Sequence, residues 1–266
     1  VSLADVNGEP IVREDTSITF SEYWFIYAIL FVVLMFNVMA SSQIANSVVT
    51  EKSTRVVEYL LVSVKPLALI VGKVIAMLLA VMLQMVSIVV MLFVSNKISA
   101  GLLGDTTGGL LSKYLTEDIF QNLNVVNIII CFIFILMGMV FYGILAGIAG
   151  ATVSKVEELG EGMTLFSVIN LAGAYVGMAA ASILMGPGVN GFVIFSFLFP
   201  LSSPFILPGA ILAGKVSLPV MAGAAVMQVV FIILLFRFAA KVYETLILHS
   251  GNKVKVKELI RISKTV

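Results

Sequence analysis

The side chains that could perform chemistry in this sequence are few, and their numbers exclude several kinds of site. Cys131 is the only cysteine and His249 the only histidine among the 266 residues. A disulfide framework and a zinc site with several His and Cys ligands are therefore excluded. A Ser-His-Asp triad would have to use His249, which stands in a polar tail without a convincing partner. We therefore predict no catalytic residue, no metal site and no cofactor bound by this chain.

The long apolar segments contain neutral polar side chains but no acidic ones well inside them. Carboxylates within a membrane are the usual proton or cation relays of secondary transporters, so their absence argues against a self-contained antiporter. The neutral side chains are candidates for lining a translocation path, or they form interhelical hydrogen bonds worth about 0.6 to 2 kcal/mol each. The six of these side chains that we predict to line the path are, in sequence order, Asn37, Ser41, Ser42, Asn46, Gln84 and Asn170.

Charged residues cluster in the segment 51–65, between two apolar segments. The cluster consists of Glu51, Lys52, Arg55 and Glu58. Three of them recur at the spacing of one helix face, and apolar residues fall on the opposite face. This pattern predicts an amphipathic helix that lies in the membrane interface and ends at Pro66. An ordinary interfacial loop helix would show the same pattern, so the pattern alone assigns no function.

Gly72 and Lys73 begin the next apolar segment, and Val74 follows them. A P-loop would need the pattern G-x-x-x-x-G-K followed by Ser or Thr, and the sequence contains none. The chain therefore cannot hydrolyse ATP by that route.

The elements that position these residues follow from composition. The chain is 60% hydrophobic and 12% charged, with a mean hydropathy of +1.12, whereas soluble domains carry roughly 25% charged residues. Runs of about 20 apolar residues recur, and each can cross a hydrocarbon core of about 30 Å. We predict an all-α polytopic membrane protein with five transmembrane helices. They are predicted over Tyr23–Val48, Leu67–Val94, Val125–Ala151, Thr164–Met185 and Leu218–Val242.

A sixth apolar segment, 192–214, differs from the others because Pro200, Pro204 and Pro208 stand four residues apart. Each proline removes a backbone donor and disturbs the preceding helical turn. Backbone that is broken at membrane depth must be shielded by protein or water. We therefore predict that this segment is a re-entrant hairpin, which enters and leaves on the same side.

The distribution of Lys and Arg residues predicts how the chain is oriented across the membrane. With five crossings and one hairpin, twelve of the 16 Lys and Arg residues fall on one side, which the positive-inside rule makes cytoplasmic. A full crossing by the sixth segment would move the basic tail to the other side; the charge rule favours the hairpin without excluding that alternative. We predict that residues 1–22 end an extracytoplasmic region with further sequence before it. Residues 23–248 then form the transmembrane domain, and 249–266 form a basic cytoplasmic tail.

Three parts of the sequence resemble type-2 ABC exporter permeases, most closely the NatB-like sodium-extrusion branch. The string EKSTRVVEYLLVSVKPLALIVGKV, at 51–74, resembles the first cytoplasmic segment of that family. It matches at Glu51, Lys52, Arg55, Glu58, Leu60, Leu61, Pro66, Gly72 and Lys73. The predicted hairpin resembles the P-x-x-S-P segment of the family. It matches at Pro200, Ser203 and Pro204.

The C-terminal part, 239–262, resembles the family's tail. It matches at Lys241, Tyr243, Leu248, Gly251 and Lys253. Glu244 stands where the family usually has Arg, and His249 with Ser250 replaces a pair that ends in Tyr. These departures weaken the resemblance to the sodium-extrusion branch more than the resemblance to the family as a whole.

The resemblance implies a transmembrane permease subunit of an ATP-driven exporter in the cell membrane. The segment 51–65 would be an amphipathic cytoplasmic coupling helix that docks on a separate ABC ATPase subunit, and that subunit would hold ATP and Mg²⁺. Two permease chains, identical or different, would assemble in the lipid bilayer, and no nucleic acid is expected as a partner. The substrate would be sodium, a drug, a peptide or a lipid-like compound. Two other classes stay open: an ATP-independent channel or secondary carrier, and a non-transporting sensor or immunity subunit.

Overall fold

The computed structural model describes residues 17–54, 66–103, 122 and 124–248. Within these ranges the chain consists of helices and short connections, without a strand. The α-helices in chain order are α1 Phe20–Ser53, α2 Pro66–Leu103, α3 Val125–Ala151, α4 Leu159–Gly162, α5 Thr164–Met185, α6 Gly191–Leu198, α7 Ser203–Leu212 and α8 Leu218–Leu248. A 3-10 turn, Val156–Glu158, precedes α4.

Four of these helices are long and apolar enough to cross a membrane, namely α1, α3, α5 and the Leu218–Ala240 part of α8. Helices α6 and α7 together form a further apolar unit, which is bent by 115° between its two arms. The described chain therefore offers four crossings, or five if the bent unit crosses. Helix α2 covers the second predicted span as one continuous helix of 38 residues. The prediction of an all-helical, multi-pass membrane protein is confirmed at this level.

The start of α1 is fixed by side chains of its first turn. The backbone N–H of Thr19 donates to Glu22 Oε2 at 2.7 Å, and the Thr19 hydroxyl oxygen accepts from the Glu22 N–H at 3.3 Å. This capping box supplies partners to two N–H groups at the helix start. The rings of Tyr23, Trp24 and Tyr27 follow, with centroids 4.6 to 6.3 Å apart. Aromatic side chains of this kind are typical of a membrane–water interface.

Helix α3 lies at the centre of the described bundle and contacts α1, α2, α5, α7 and α8. Glycines allow the closest of these approaches. A Cβ atom at Gly150 would lie 2.9 Å from the Cα atom of Ala45 in α1, and one at Gly143 would lie 3.0 Å from Ile44 Cδ1. Small residues let helix backbones approach closely within a membrane. Helices α1 and α3 therefore form the most extensive pair of the bundle.

Helix α7 of the bent unit is enclosed by the other helices, as broken backbone in a membrane requires. Residues 203–211 of α7 are all buried, and α7 packs against α1, α3 and α5. Gly138 of α3 lies directly against Pro204, and Gly173 of α5 lies directly against the Leu201 carbonyl. The structure therefore contains the break that the prolines predict. A bend of this size fits a re-entrant hairpin and a broken crossing alike.

Candidate functional site

The described residues of the predicted coupling segment lie at the ends of two helices. Glu51 and Lys52 belong to the last turn of α1, which continues five residues beyond the predicted span end at Val48. The matching residues in α2 are Pro66, Gly72 and Lys73. The segment 55–65, which holds Arg55 and Glu58, lies outside the described residues. The amphipathic helix over that segment stays a prediction.

The Lys52 side chain points into the bundle. It is 8% exposed, and its ammonium group donates hydrogen bonds of 2.7 Å to the Ala151 carbonyl and 2.8 Å to the Leu246 carbonyl. Ala151 is the last residue of α3, and Leu246 lies in the last turn of α8. Carbonyls at a helix C-terminus lack N–H partners within the helix and carry the negative end of its dipole. Lys52 therefore joins the C-terminal ends of α1 and α3 to the Leu246 carbonyl of α8.

Glu51 forms an ion pair with Lys73, with 2.6 Å between Oε2 and Nζ. The Glu51 side chain is 30% exposed and that of Lys73 is 13% exposed. This pair joins the last turn of α1 to α2 about two turns beyond Pro66, so a direct contact links the two helices that flank the segment 55–65. We call Glu51, Lys52, Lys73 and the carbonyls of Ala151 and Leu246 the charged junction.

The loop between α3 and α5 lies on the same side of the bundle as the charged junction, because it begins directly after Ala151. Its 3-10 turn and α4 both contact α1. Lys155 and Glu157 are exposed in this loop. A partner that meets the segment 55–65 would therefore have these charges beside it, whereas Lys52 is engaged inside the bundle.

A second group of polar side chains lies near the middle of the bundle. Asn37 and Ser41 of α1 are buried, and so is Asn170 of α5. The side-chain oxygens of all three find no hydrogen-bond partner among the atoms that the structure describes. A buried polar group without a partner costs about 1 to 3 kcal/mol. These positions therefore favour water or another polar group over a dry apolar contact.

The two asparagines of this group lie at the same depth. Helices α1 and α5 are antiparallel, because the Ile18 N–H donates to the Leu184 carbonyl at 3.0 Å and Leu30 lies against Gly177 further along. Each asparagine stands two helical turns beyond the Leu30–Gly177 contact on its own helix. The structure therefore places two predicted path residues that are far apart in the sequence at the same depth of the bundle.

The other predicted path residues lie elsewhere. Ser42 is half-buried, and Asn46 and Gln84 are exposed on the outside of the described bundle. The six residues therefore divide into an inward-facing set on α1 and α5 and an outward-facing set on α1 and α2.

Two hydroxyl groups stabilise the break between α6 and α7. Pro200 has no N–H, so the Ser196 carbonyl lacks its usual helical donor. The Ser202 hydroxyl donates to that carbonyl at 2.8 Å. The Tyr142 hydroxyl of α3 donates to the Leu201 carbonyl, also at 2.8 Å. Both bonds satisfy backbone groups that the break would otherwise leave buried without partners.

The predicted hairpin residues all lie in or beside this break. Ser203 and Pro204 begin α7, and Pro208 lies within it, where its carbonyl accepts from the Cys131 thiol at 3.3 Å. Sequence analysis missed Ser202, although the donor lost at Pro200 was a usable signal. No local signal marks the Tyr142 bond, because its acceptor lies 59 residues away.

The chemistry that this arrangement offers is limited. Among the residues described, no three His, Cys, Asp or Glu side chains come together as metal ligands would. The only carboxylates in the described helices α1, α2, α3 and α5 are Glu22 and Glu51, in the first and last turns of α1. The polar side chains between the helix ends are amides and hydroxyls, which bind through hydrogen bonds and stay neutral near pH 7.

Comparison with known proteins defines the class. Residues 5–241 match the family model described as ABC-2 family transporter protein, and the chain therefore belongs to this family of ABC transporter membrane components. It is similar to the uncharacterized protein YhaP of Bacillus subtilis (strain 168), with 27% identity over 245 residues, which cover 90% of this chain and 55% of YhaP. The chain thus spans about half the length of the curated relative that it matches. No solved structure matches the chain.

Family membership confirms the coarser part of the predicted resemblance. The chain is a multi-pass membrane protein of a transporter family whose members are not themselves catalytic and typically pair with an ABC ATPase subunit. The sodium-extrusion branch, the substrate and the direction of transport go beyond this match.

Proposed function

We propose that this chain is the permease subunit of an ATP-driven exporter, and that a separate ATPase subunit docks on the coupling helix over 51–65. That subunit holds ATP and Mg²⁺. The observation that carries the proposal is the charged junction, because it attaches both ends of the predicted coupling helix directly to the helix bundle. A partner that displaces this helix would therefore displace α1 and α2 with it.

The stiffness of α1 supports this mechanism. It is one continuous helix of 34 residues, about 51 Å long at 1.5 Å per residue. Its close contact with α3 at Ala45 and Gly150 lies near the charged junction. A force on the end of α1 therefore reaches the middle of the bundle without an intervening flexible joint.

We propose that the charged junction and the C-terminus face the cytoplasm, where an ATPase subunit finds ATP. The positive-inside rule supports this side, because twelve of the 16 Lys and Arg residues gather there in the hairpin topology. Residues 1–22 then lie on the extracytoplasmic side, and the basic residues of 249–266 lie on the cytoplasmic side. Two permease chains, identical or different, would complete the transporter.

The helix directions support the re-entrant hairpin in this topology. Helix α5 is antiparallel to α1, so it ends beside the start of α1, where Ile18 bonds to Leu184. Helix α8 ends beside the end of α1, where Lys52 bonds to Leu246, so α8 begins on the opposite side. The bent unit of α6 and α7 then leaves from, and returns to, the extracytoplasmic side.

We propose that the translocation path uses the outward-facing polar residues first. Ser42, Asn46 and Gln84 can meet a substrate from outside the bundle as it stands. Asn37 and Asn170 are 1% exposed, so a substrate reaches them only after α1 and α5 separate. Movement of α1 by the coupling helix would supply that separation.

The resemblance makes sodium the first substrate to test, before drugs, peptides and lipid-like compounds. A cation on this path would be held by neutral amide, hydroxyl and carbonyl oxygens, because Glu22 and Glu51 lie at the two ends of α1. Neutral oxygens bind a monovalent cation more weakly than carboxylates do. A low affinity for sodium is therefore part of the proposal.

Co-purification of the complete protein from its native membrane in mild detergent tests the partner. We expect an ATPase with a Walker A motif to co-purify, and the double substitution R55E/E58R to remove it. These two residues are chosen because Glu51 and Lys52 are engaged within the chain. The matched control is Lys215→Glu, which lies at the opposite end of the bundle and should retain the ATPase.

Two outcomes would contradict the proposal. If the wild-type protein purifies alone and moves ²²Na⁺ across liposomes without ATP, it is a channel or a secondary carrier. If the ATPase binds but no sodium, drug, peptide or lipid probe moves in proteoliposomes with ATP, a sensor or immunity subunit is the better assignment.

A further inference from the structure

We propose that Lys52 is a positioning residue that passes the movement of the coupling helix to α3 and α8, and that it does not contact the ATPase. This inference rests on the proposed function, because only a docked partner gives Lys52 a movement to transmit. It assigns to one residue of the charged motif a role that differs from that of its neighbours.

Lys52 is held by carbonyl oxygens and not by a carboxylate. A buried ammonium group is unfavourable unless its charge and its N–H donors are matched. The adjacent acid, Glu51, pairs with Lys73 instead. Lys52 donates to the Ala151 carbonyl at the C-terminus of α3 and to the Leu246 carbonyl of α8, and a helix C-terminus carries about half a negative charge. These carbonyl oxygens accept from two of its three N–H donors.

The same electrostatics give Lys52 a mechanical role. Without the ammonium group, the Ala151 and Leu246 carbonyl oxygens would face each other with partial charges of the same sign. The ammonium group replaces that repulsion with two short hydrogen bonds. The cytoplasmic ends of α1, α3 and α8 are therefore held by one side chain. A shift of α1 would then move α3 and α8 as well.

The position of Lys52 in the chain suits transmission better than docking. It stands three residues before Arg55, at the start of the coupling helix. A displacement of that helix would therefore also displace Lys52. It is 8% exposed, whereas Lys155, in the next loop on the same side, is exposed. A partner protein can touch Lys155 but cannot reach the Lys52 ammonium without opening the junction.

The test uses the complete protein with its co-purified ATPase in lipid nanodiscs. Lys52→Met keeps the apolar stem and removes the charge, and Lys215→Met makes the same change at the opposite end of the bundle, away from the docking side. ATPase binding and the permease-dependent change in ATP hydrolysis are measured for both. We expect Lys52→Met to retain binding but to reduce the change in hydrolysis by about tenfold or more. We expect Lys215→Met to match the wild-type protein in both measurements.

The outcomes separate this inference from the proposed function. If the wild-type protein binds no ATPase, the proposed function fails. If Lys52→Met binds and stimulates the ATPase as the wild-type protein does, only the role of Lys52 fails. If folded Lys52→Met loses binding while Lys215→Met retains it, Lys52 contacts the ATPase and the inference is overturned.

A second measurement covers the case in which Lys52→Met does not fold. Spin labels at Ser53→Cys and Lys155→Cys, with Lys52 intact, report the distance between the ends of α1 and α3. We expect the distance to stay constant when ATP is added, because Lys52 makes the two ends move together. A change larger than the roughly 5 Å of one helical turn would overturn the inference.

Discussion

The charged junction at the end of α1 and the break between α6 and α7 both bury polar groups of the backbone, but they satisfy them differently. At the junction one long side chain, Lys52, bonds to the carbonyls of two helix ends. At the break, the short Ser202 side chain bonds to the Ser196 carbonyl and the Tyr142 hydroxyl bonds to the Leu201 carbonyl. Glycines there bring helix backbone into direct contact with the Pro204 ring and with the Leu201 carbonyl.

This difference predicts different mechanical properties. A charge attracts over several ångströms, and the lysine stem has four rotatable bonds, so the junction can hold its partners while they shift. Packed backbone has no such tolerance, because protein interiors are close-packed and even a small added volume forces neighbouring atoms to move. We therefore expect substitutions at the break to affect stability first, and substitutions at the junction to affect coupling first.

The largest effect is expected at Gly173. A Cβ atom there would overlap the Leu201 carbonyl, so Gly173→Ala should destabilise the protein by about 3 kcal/mol, measured by unfolding in mixed micelles. Gly177→Ala, one turn away, is the matched control, because its nearest neighbour is the flexible end of Leu30 at 3.3 Å. Equal losses for the two variants would contradict the view that the break is the rigid region.

A smaller effect is expected from Tyr142→Phe. The variant keeps the ring and removes the hydroxyl, so the buried Leu201 carbonyl loses its Tyr142 donor at a cost of about 1 to 2 kcal/mol. Tyr175→Phe is the control, because Tyr175 is 65% exposed and its loss should be within about 0.5 kcal/mol. A Tyr142→Phe protein as stable as the control would show that water replaces the donor, and that the break is less enclosed than its burial indicates.

The smallest effect is expected from Glu51→Gln, which removes the charge that faces Lys73. The pair is partly exposed, so the loss of stability should be about 0.5 kcal/mol. It should shrink further in 1 M salt, where the screening length is about 3 Å. Glu157→Gln, at an exposed loop position, is the control for the change in net charge. If salt leaves the loss of stability unchanged, Glu51 contributes through packing, as the residues at the break do. The proposed difference between the two regions would then be weaker.

Much of the fold could be predicted from the sequence because it depends on local properties. The apolar runs gave the helices α1, α3, α5 and α8 to within a few residues, since a helix satisfies its own backbone within a membrane. The break between α6 and α7 was predictable for the same reason, because Pro200 removes a donor wherever it stands. The end of α1 was predicted too early, since its polar last turns are stabilised by contacts with other helices.

The candidate site was predictable only in part. Amphipathic spacing marked the charged segment, and the resemblance gave Lys52 the same docking role as its neighbours. The acceptors of Lys52 lie 99 and 194 residues away. They are backbone carbonyls, which every residue has, so the sequence does not mark them as acceptors. Whether Asn37 and Asn170 lie at the same depth likewise depends on how α1 packs against α5.

The sequence by itself determined that this protein is helical, lies in a membrane and has a broken apolar segment, because hydropathy and proline act through the local backbone. Only the tertiary structure decided which polar groups meet. It turned Lys52 inward to the ends of α3 and α8, and it set Tyr142 against the break. The physical reason is that a buried donor must find whichever acceptor the packing of helices brings near, and that packing depends on the whole chain at once.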